Sequence, residues 1–137
     1  MSSGVYDNGA TWAAAVSRVF NGPEAEREEA LLRLYSKDVV VTVDKNRMNW
    51  DEFVQYVKNI TDIVTHVDIN IHHWFTDGKL FASLHTTVGH RADGSKSNVY
   101  CMAMGGIGED GKANWIEERA QFLEGVNPQI GKGDWKE

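Results

Sequence analysis

Two ionisable residues in strand-like segments could carry proton-transfer chemistry. His90 ends the alternating segment LFASLHTTVGH, and Glu118 lies within the alternating segment ANWIEERAQF. Histidine has an ordinary pKa near neutral pH, and an apolar cavity raises the pKa of a carboxyl group towards neutrality. Such a pair suits enolisation, dehydration, aldol-type ring closure or isomerisation, and none of these reactions needs a cofactor.

Other residues could support this pair. Asp44 follows the run VVVTV and could hydrogen-bond a ligand or orient His66, which opens another strand; alternatively it is a turn residue, since VDKNR is turn-like. Tyr100 could donate a hydrogen bond to a carbonyl oxygen. The adjacent His72 and His73 would point to opposite faces of a strand, and the sequence contains no Cys/His cluster, so we expect no metal site.

The faces of the predicted strands follow from alternation, because successive residues point to opposite sides. In the His90 strand the even-numbered face is the more uniformly apolar, so we predict that it lines a ligand cavity. In the Glu118 strand the even-numbered face is also apolar, and Glu118 is its one carboxylate. The residues predicted to line the cavity or bind the ligand are Trp12, Phe20, Asn21, Trp50, Phe53, Thr86, Val88, Tyr100, Met102 and Ile116. A plain core role is the alternative for the tryptophans, the phenylalanines and Met102.

Two strands are ambiguous in this respect. In NVYCMAM the even face carries the larger side chains, which suit a wide cavity, but a strict two-residue turn at Asp93-Gly94 would reverse the assignment. In HVDINIHHWF the odd residues Val67, Ile69, Ile71 and Phe75 look like core. That pattern puts His66 outside, unless its place at the strand's start brings it to the cavity mouth.

The elements that must position these residues are helical first and then extended. Apolar residues recur at helical spacing in GATWAAAVSRVF and PEAEREEALLRLY, and Asn49 to Glu52 resembles a capping box before a third helix. A β-branched strand lies between the second and third helices. Three Asp-Gly turns then separate four alternating segments. The order predicts an α+β fold in which three helices pack on one face of a curved antiparallel sheet and leave a cone-shaped pocket.

Composition limits the function classes. The 137 residues suggest one domain, with a core of about 9–125 and loose ends at 1–8 and 126–137. A net charge of −6 without a basic cluster argues against nucleic acid as a partner. The single cysteine, Cys101, cannot form an internal disulfide and reads as a small buried hydrophobe. No segment has the length of a membrane span or the pattern of a signal peptide, so we expect a cytoplasmic protein.

The order of elements, the ending Val88-Gly89-His90 and the closing EERAQFLEG resemble the nuclear transport factor two-like superfamily, in particular the SnoaL-like polyketide cyclases and scytalone dehydratase. The resemblance implies a single SnoaL-like domain over 1–137. It also implies an active-site role for His90, a second histidine at His66, and a homodimer through the convex sheet face that carries Trp115, Arg119 and His85. Asn21 stands where the dehydratase has an aspartate that orients the histidine.

These observations together predict a cofactor-free isomerase, cyclase or dehydratase. Its substrate would be a hydrophobic polyketide- or terpenoid-like small molecule in the pocket, with His90, Glu118, His66 and Asp44 as the catalytic candidates. The alternative is a non-catalytic module of the same fold that binds a small molecule or another chain.

Overall fold

The computed structural model describes residues 4–125. Two helices, a strand, a third helix and a four-stranded meander follow one another in the order that the sequence predicts. One further short strand, which was not predicted, precedes the third helix and completes a six-stranded sheet. The elements are α1 (Gly9–Asn21), a short 3-10 turn (Glu24–Glu26), α2 (Arg27–Leu34), β1 (Tyr35–Val43), β2 (Asn46–Met48), α3 (Trp50–Ile63), β3 (His66–Thr76), β4 (Leu80–His90), β5 (Lys96–Ile107) and β6 (Ala113–Gly125). No helix in this range is long and apolar enough to cross a membrane.

The sheet is curved and open, with strand order β2-β1-β6-β5-β4-β3. All neighbouring pairs are antiparallel except β1 and β6, which run parallel. Three Asp-Gly pairs lie in the turns of the β3–β6 meander, and Gly78, Gly94 and Gly111 adopt positive φ angles of 91°, 90° and 80° there. Glycine has no Cβ, so it takes this left-handed conformation at little cost. The predicted α+β fold is confirmed.

Asparagine caps start the two longer helices. Asn8 accepts a hydrogen bond from the Thr11 backbone N–H, and Asn49 accepts one from the Glu52 backbone N–H; each third residue bonds back to form a capping box. The chain packs before α1 begins, because Tyr6 is buried and its hydroxyl donates to the Leu34 carbonyl oxygen at 2.7 Å. The expected loose start is therefore not observed at residues 4–8, and the expected loose end at 126–137 lies outside the described residues.

The odd-numbered residues of β4 face the helices, which is opposite to the face predicted from apolar character. Phe81, Ser83 and His85 are buried, whereas Leu80 on the even face is 43% exposed. The turn after β4 is a five-residue loop, 91–95, which joins the register pair His90 and Lys96. An odd-length loop keeps odd residues beside odd residues, so the odd face of β5 also points inward.

A β-bulge changes the inward face of β3. Ile69 pairs with Thr87 and Ile71 with His85, but the next pair is His73 with Leu84, so the register shifts by one residue at His72. Val67, Ile69 and Ile71 accordingly face the helices, as predicted. Beyond the bulge Trp74 faces inward and Phe75 is 65% exposed, so the prediction that Phe75 belongs to the core is wrong.

Candidate functional site

A cavity of about 170 Å³ lies between the three helices and the inward face of the sheet. Its wall is mostly apolar, and the polar groups come chiefly from the odd face of β4 and β5 and the even face of β6. The lining residues are Trp12, Val16, Val19, Phe20, Leu31, Tyr35, Val43, Phe53, Tyr56, Val57, Ile60, Val64, Val67, Ile69, His85, Thr87, Gly89, Ser97, Val99, Cys101, Glu118 and Phe122.

Among residues 4–125, Glu118 is the one carboxylate in this lining. Burial raises its pKa from 4.5 to about 7, a hydrogen bond with the Cys101 thiol acts in the opposite direction, and the negative charge of Asp44 raises the pKa again. A carboxyl group with this pKa exchanges a proton near neutral pH, which is the property required of a general acid or base.

His85 and Cys101 lie beside Glu118 on the same wall. His85 is directly opposite Cys101 in the β4–β5 register, and a His85 nitrogen, Cys101 Sγ and a Glu118 carboxylate oxygen lie within 4.8 Å of one another. Burial lowers the pKa of His85 from 6.5 to about 4, so its imidazole is neutral at physiological pH, and burial raises the pKa of the Cys101 thiol. In the part of the chain that the structure describes, these three residues are the group that could hold a metal ion.

Aromatic side chains close the remaining sides of the cavity. Tyr35 and Phe53 pack edge to face with ring centroids 5.2 Å apart, and the indole of Trp12 meets the imidazole of His85 edge-on at 5.1 Å. Burial raises the pKa values of Tyr35 and Tyr56, so both phenols are neutral and able to donate hydrogen bonds.

Asp44 does not line the cavity but fixes the segment of β6 that carries Glu118. Its backbone N–H donates to the Glu118 carbonyl oxygen at 2.8 Å, and its carboxylate accepts from the Ala120 N–H at 3.1 Å. The Arg119 side chain donates to the Asp44 carbonyl oxygen. Asp44 has a positive φ of 54°, a conformation that non-glycine residues adopt infrequently and that the surrounding contacts must stabilise.

The structure brings four of the predicted site residues to the cavity, namely Trp12, Phe20, Phe53 and Glu118. Two others, Trp50 and Ile116, are buried in the core beside it. Asn21 does not line the cavity; its side chain bonds both the N–H and the carbonyl oxygen of Val67 at 2.8 Å and so joins the end of α1 to the start of β3.

His90 and His66 lie on the opposite face of the sheet, so their predicted placement in the pocket is wrong. They form a register pair, and both bond the Asp68 carboxylate, with Nε2–O distances of 2.8 Å for His90 and 2.9 Å for His66. These hydrogen bonds lower the pKa of Asp68. The physical reason for the different placement is the alternation of β4, in which His90 shares the outward face with Leu80 rather than the inward face with His85.

The same correction applies to Thr86, Val88, Tyr100 and Met102, which were predicted to bind the ligand. The Thr86 hydroxyl shares a hydrogen bond with His72, which points outward. Tyr100 packs near the same imidazole, and Met102 is 55% exposed. We use the term outer face for the side of the sheet that carries Leu80, Tyr100, Met102, Met104 and Trp115. It contains large exposed apolar side chains, which is why it resembled a cavity wall in the sequence.

The sequence pattern did not indicate a lining position for Cys101, Thr87, Tyr35 or Tyr56. The expected place of His85 on the convex sheet face is wrong, because His85 is only 4% exposed and lines the cavity. The buried location expected for Cys101 is observed, but its position beside two ionisable groups was not anticipated. One signal was available: β4 has the polar residues Ser83, His85 and Thr87 on alternate positions, a pattern that either solvent or a polar patch in a cavity can produce.

Comparisons with known proteins support the fold. No family model and no curated protein sequence matches the chain. Among solved structures, IdmH, a candidate polyketide cyclase from Streptomyces antibioticus, is similar with a TM-score of 0.64 at 12% identity, covering 78% of this chain and 87% of that one. An NTF2-like protein of unknown function from Exiguobacterium sp. 255-15 has a TM-score of 0.65 at 15% identity, covering 79% and 96%.

A third similar structure is AclR, a candidate hydroxylase from Streptomyces galilaeus, with a TM-score of 0.64 at 10% identity over 83% of this chain and 81% of that one. At these identities the likeness concerns the fold. The chain has the nuclear transport factor two-like fold, and the proteins that share it include candidate SnoaL-like polyketide cyclases. The described functions of these proteins differ, so the chemistry must be argued from the cavity itself.

Proposed function

We propose that the protein is a cofactor-free acid–base enzyme of the isomerase, cyclase or dehydratase type, which acts on a small hydrophobic molecule inside the cavity. The observation that carries this proposal is the placement of Glu118, whose carboxyl group is the one carboxylate on an otherwise mainly apolar wall. Glu118 takes a proton from a carbon next to a carbonyl group, or returns one to it. In this proposal the proton-transfer roles belong to residues of the cavity and not to His90 and His66.

The neutral phenols of Tyr35 and Tyr56 support the same reaction. When a proton leaves the carbon next to a carbonyl, negative charge develops on the carbonyl oxygen, and a hydrogen-bond donor close to that oxygen lowers the barrier. Both tyrosines line the cavity together with Glu118. Tyr100, which was predicted for this task, lies on the outer face.

The size of the cavity limits the substrate. A cavity of about 150 Å³ in another protein holds one benzene molecule, and the cavity here measures about 170 Å³. The substrate that fits is therefore a neutral molecule with one ring, or an open chain of similar volume, rather than a polycyclic one. A monocyclic terpenoid-like or polyketide-derived ketone meets these requirements. Such a molecule is neutral, which also suits the mainly apolar wall.

Exchange of α-protons for deuterium tests the proposal without knowledge of the natural substrate. Cyclohexanone is the first probe of a panel of monocyclic ketones, and the loss of its α-proton signal in D2O is followed by 1H NMR. The wild-type protein should accelerate the exchange, and Glu118→Gln should remove about 100-fold or more of that acceleration, the usual contribution of a general base.

Two matched variants separate the cavity from the outer face. Glu117→Gln changes the neighbouring, outward carboxylate, and His90→Ala removes the histidine predicted from the sequence; both should leave the exchange rate unchanged. If Glu118→Gln retains the full rate for every ketone that the wild-type protein accelerates, the acid–base role is wrong. If the protein binds such ketones without accelerating their exchange, it is the non-catalytic binding module.

A further inference from the structure

Three side chains with metal-binding atoms project into the cavity from neighbouring strands. His85 on β4 lies directly opposite Cys101 on β5, and Cys101 pairs with Ala120, two residues from Glu118 on the same face of β6. Their donor atoms lie within 4.8 Å of one another. We propose that His85, Cys101 and Glu118 bind a zinc-class divalent cation, with a fourth coordination position open to the cavity.

The spacing of the donor atoms is close to what a four-coordinate cation needs. Zinc bonds to nitrogen, oxygen and sulfur are about 2.0–2.3 Å long, so the ligands of a tetrahedral site are about 3.3–3.7 Å apart. Starting from separations of up to 4.8 Å, each donor atom moves by about 1 Å or less to reach this geometry. Side-chain rotation supplies such a movement without any change of strand register.

The charges of the three ligands match those of the cation. A thiolate and a carboxylate together carry two negative charges, and a neutral imidazole adds none, so a divalent cation makes the centre neutral. Net charge is costly to bury among apolar side chains, and a neutral centre avoids that cost. On binding, Cys101 releases its thiol proton and Glu118 releases its proton if it carries one, so that the cation replaces protons and no other reactant is needed.

Neighbouring hydroxyl groups orient two of the ligands. The Ser83 Oγ lies 2.9 Å from Nδ1 of His85, and we therefore assign Nε2 to the cation. Ser83 is only 2% exposed, which holds the imidazole ring in place from behind. The Thr87 side chain hydrogen-bonds the sulfur of Cys101 in a sense that favours the thiolate. Partners of this kind fix ligand orientation in metal sites, and a sulfur ligand selects zinc or cobalt over magnesium and calcium.

The cation and the substrate proton compete for the same carboxylate. The metal-bound protein is therefore a different state from the acid–base enzyme proposed above, and zinc should inhibit the exchange of ketone α-protons. The metal proposal goes beyond that function, because binding can be measured with the metal alone and with no substrate present.

Cobalt(II) provides a direct test because the chain contains a single cysteine. The full-length wild-type protein, freed of metal with a chelator and kept reduced, is titrated with Co²⁺ while the absorption spectrum is recorded. We expect one equivalent to bind with a thiolate-to-cobalt charge-transfer band and the intense visible bands of four-coordinate cobalt. Any such charge-transfer band must arise from Cys101, and Mg²⁺ in large excess should not reduce it.

The variants make the assignment specific. Cys101→Ser should abolish the charge-transfer band, and His85→Asn should weaken binding at least tenfold, with circular dichroism to show that each variant is folded. The double variant His66→Ala/His90→Ala removes the histidine pair of the outer face and should leave the cobalt spectrum unchanged.

The proposal is overturned if wild-type protein shows no thiolate-to-cobalt band, or if one equivalent still binds equally tightly after Cys101→Ser. It is also overturned if His66→Ala/His90→Ala eliminates the binding. These outcomes are independent of the proposed function, whose failure is recognised by an unchanged α-proton exchange rate in Glu118→Gln without metal.

Discussion

Replacement of Glu118 by glutamine should change how the stability of the protein depends on pH. Burial raises the pKa of this carboxyl group from 4.5 to about 7. Between these two values the folded protein keeps a proton that the unfolded chain releases. The free energy of unfolding of the wild-type protein should therefore fall as the pH rises through this interval, because the folded state is the one that binds more protons.

The size of the effect follows from the two pKa values. A tenfold change in an ionisation constant corresponds to about 1.4 kcal/mol. The interval from 4.5 to about 7 then corresponds to about 3 kcal/mol. Ionisation of Glu118 should lower the free energy of unfolding by this amount as the pH rises from about 4 to about 8. Glutamine has the same shape and does not ionise, so the variant should lack this loss.

Urea-induced unfolding, followed by tryptophan fluorescence with a chelator present, measures the effect. The quantity compared is the difference between the free energies of unfolding of the variant and the wild type, because other titrating groups largely cancel in it. Relative to the wild type, the free energy of unfolding of the variant should increase by about 3 kcal/mol from about pH 4 to about pH 8. Glu117→Gln is the matched control, since the Glu117 side chain is 44% exposed on the outward side of the same strand.

If the free energies of unfolding of wild type and Glu118→Gln depend on pH in parallel, the raised pKa of Glu118 is wrong. Such a result would mean that the carboxyl group is solvated in the folded protein as well as in the unfolded chain. A pH-dependent difference of the same size in Glu117→Gln would also refute it, because the effect would then not depend on burial in the cavity.

Three further predictions concern the surroundings of the site. Asp44→Asn keeps an acceptor for the Ala120 N–H but removes a negative charge near Glu118, so the pKa of Glu118 should fall. The pKa is measured by 13C NMR of the Glu118 carboxyl carbon, and an unchanged or higher value would contradict the role given to the Asp44 charge. Gly105→Ala should lower the free energy of unfolding by about 1–3 kcal/mol, as measured by urea unfolding, because its Cβ would lie 2.5 Å from the backbone oxygen of Trp115; a stability equal to wild type would count against the tight packing described. We also propose that two copies of the chain associate through the outer face, where Met102 is 55% exposed. Light scattering at micromolar concentration should show a dimer for the wild type and a monomer for Met102→Glu, whereas a monomeric wild type would contradict the proposal.

Local patterns were sufficient to predict every helix and strand except the three-residue β2. The capping sequence at Asn49 begins α3, and the Asp-Gly turns end strands, because both depend on backbone requirements set within a few residues. The face of β6 that carries Glu118 was also predictable, since its inward residues alternate with the polar Glu117 and Arg119.

The inward face of β4 could not be predicted from apolar character alone. The outer face keeps large apolar residues such as Leu80 and Met102, while the cavity face carries Ser83 and His85, so hydrophobicity pointed the wrong way. The deciding information was the register across the 91–95 loop and the contact of β4 with the helices. Both depend on parts of the chain that are distant in sequence.

The cluster of His85, Cys101 and Glu118 was equally hidden. Its members come from three strands and are separated by 16 and 17 positions in the chain, so no spacing motif connects them. Only the pairing of β4 with β5 and of β5 with β6 brings their donor atoms together. For the same reason, the outward position of His90 became evident only when its register partner His66 and the shared Asp68 were placed.

A crystal structure of the metal-free protein with a bound monocyclic ketone tests the central claim most directly. We expect the ketone to lie in the cavity with its α-carbon or carbonyl oxygen next to the Glu118 carboxyl group, between Trp12 and Phe53. A ketone bound instead on the outer face beside His66 and His90, with the cavity closed to it, would show that Glu118 is not the group that handles the substrate proton.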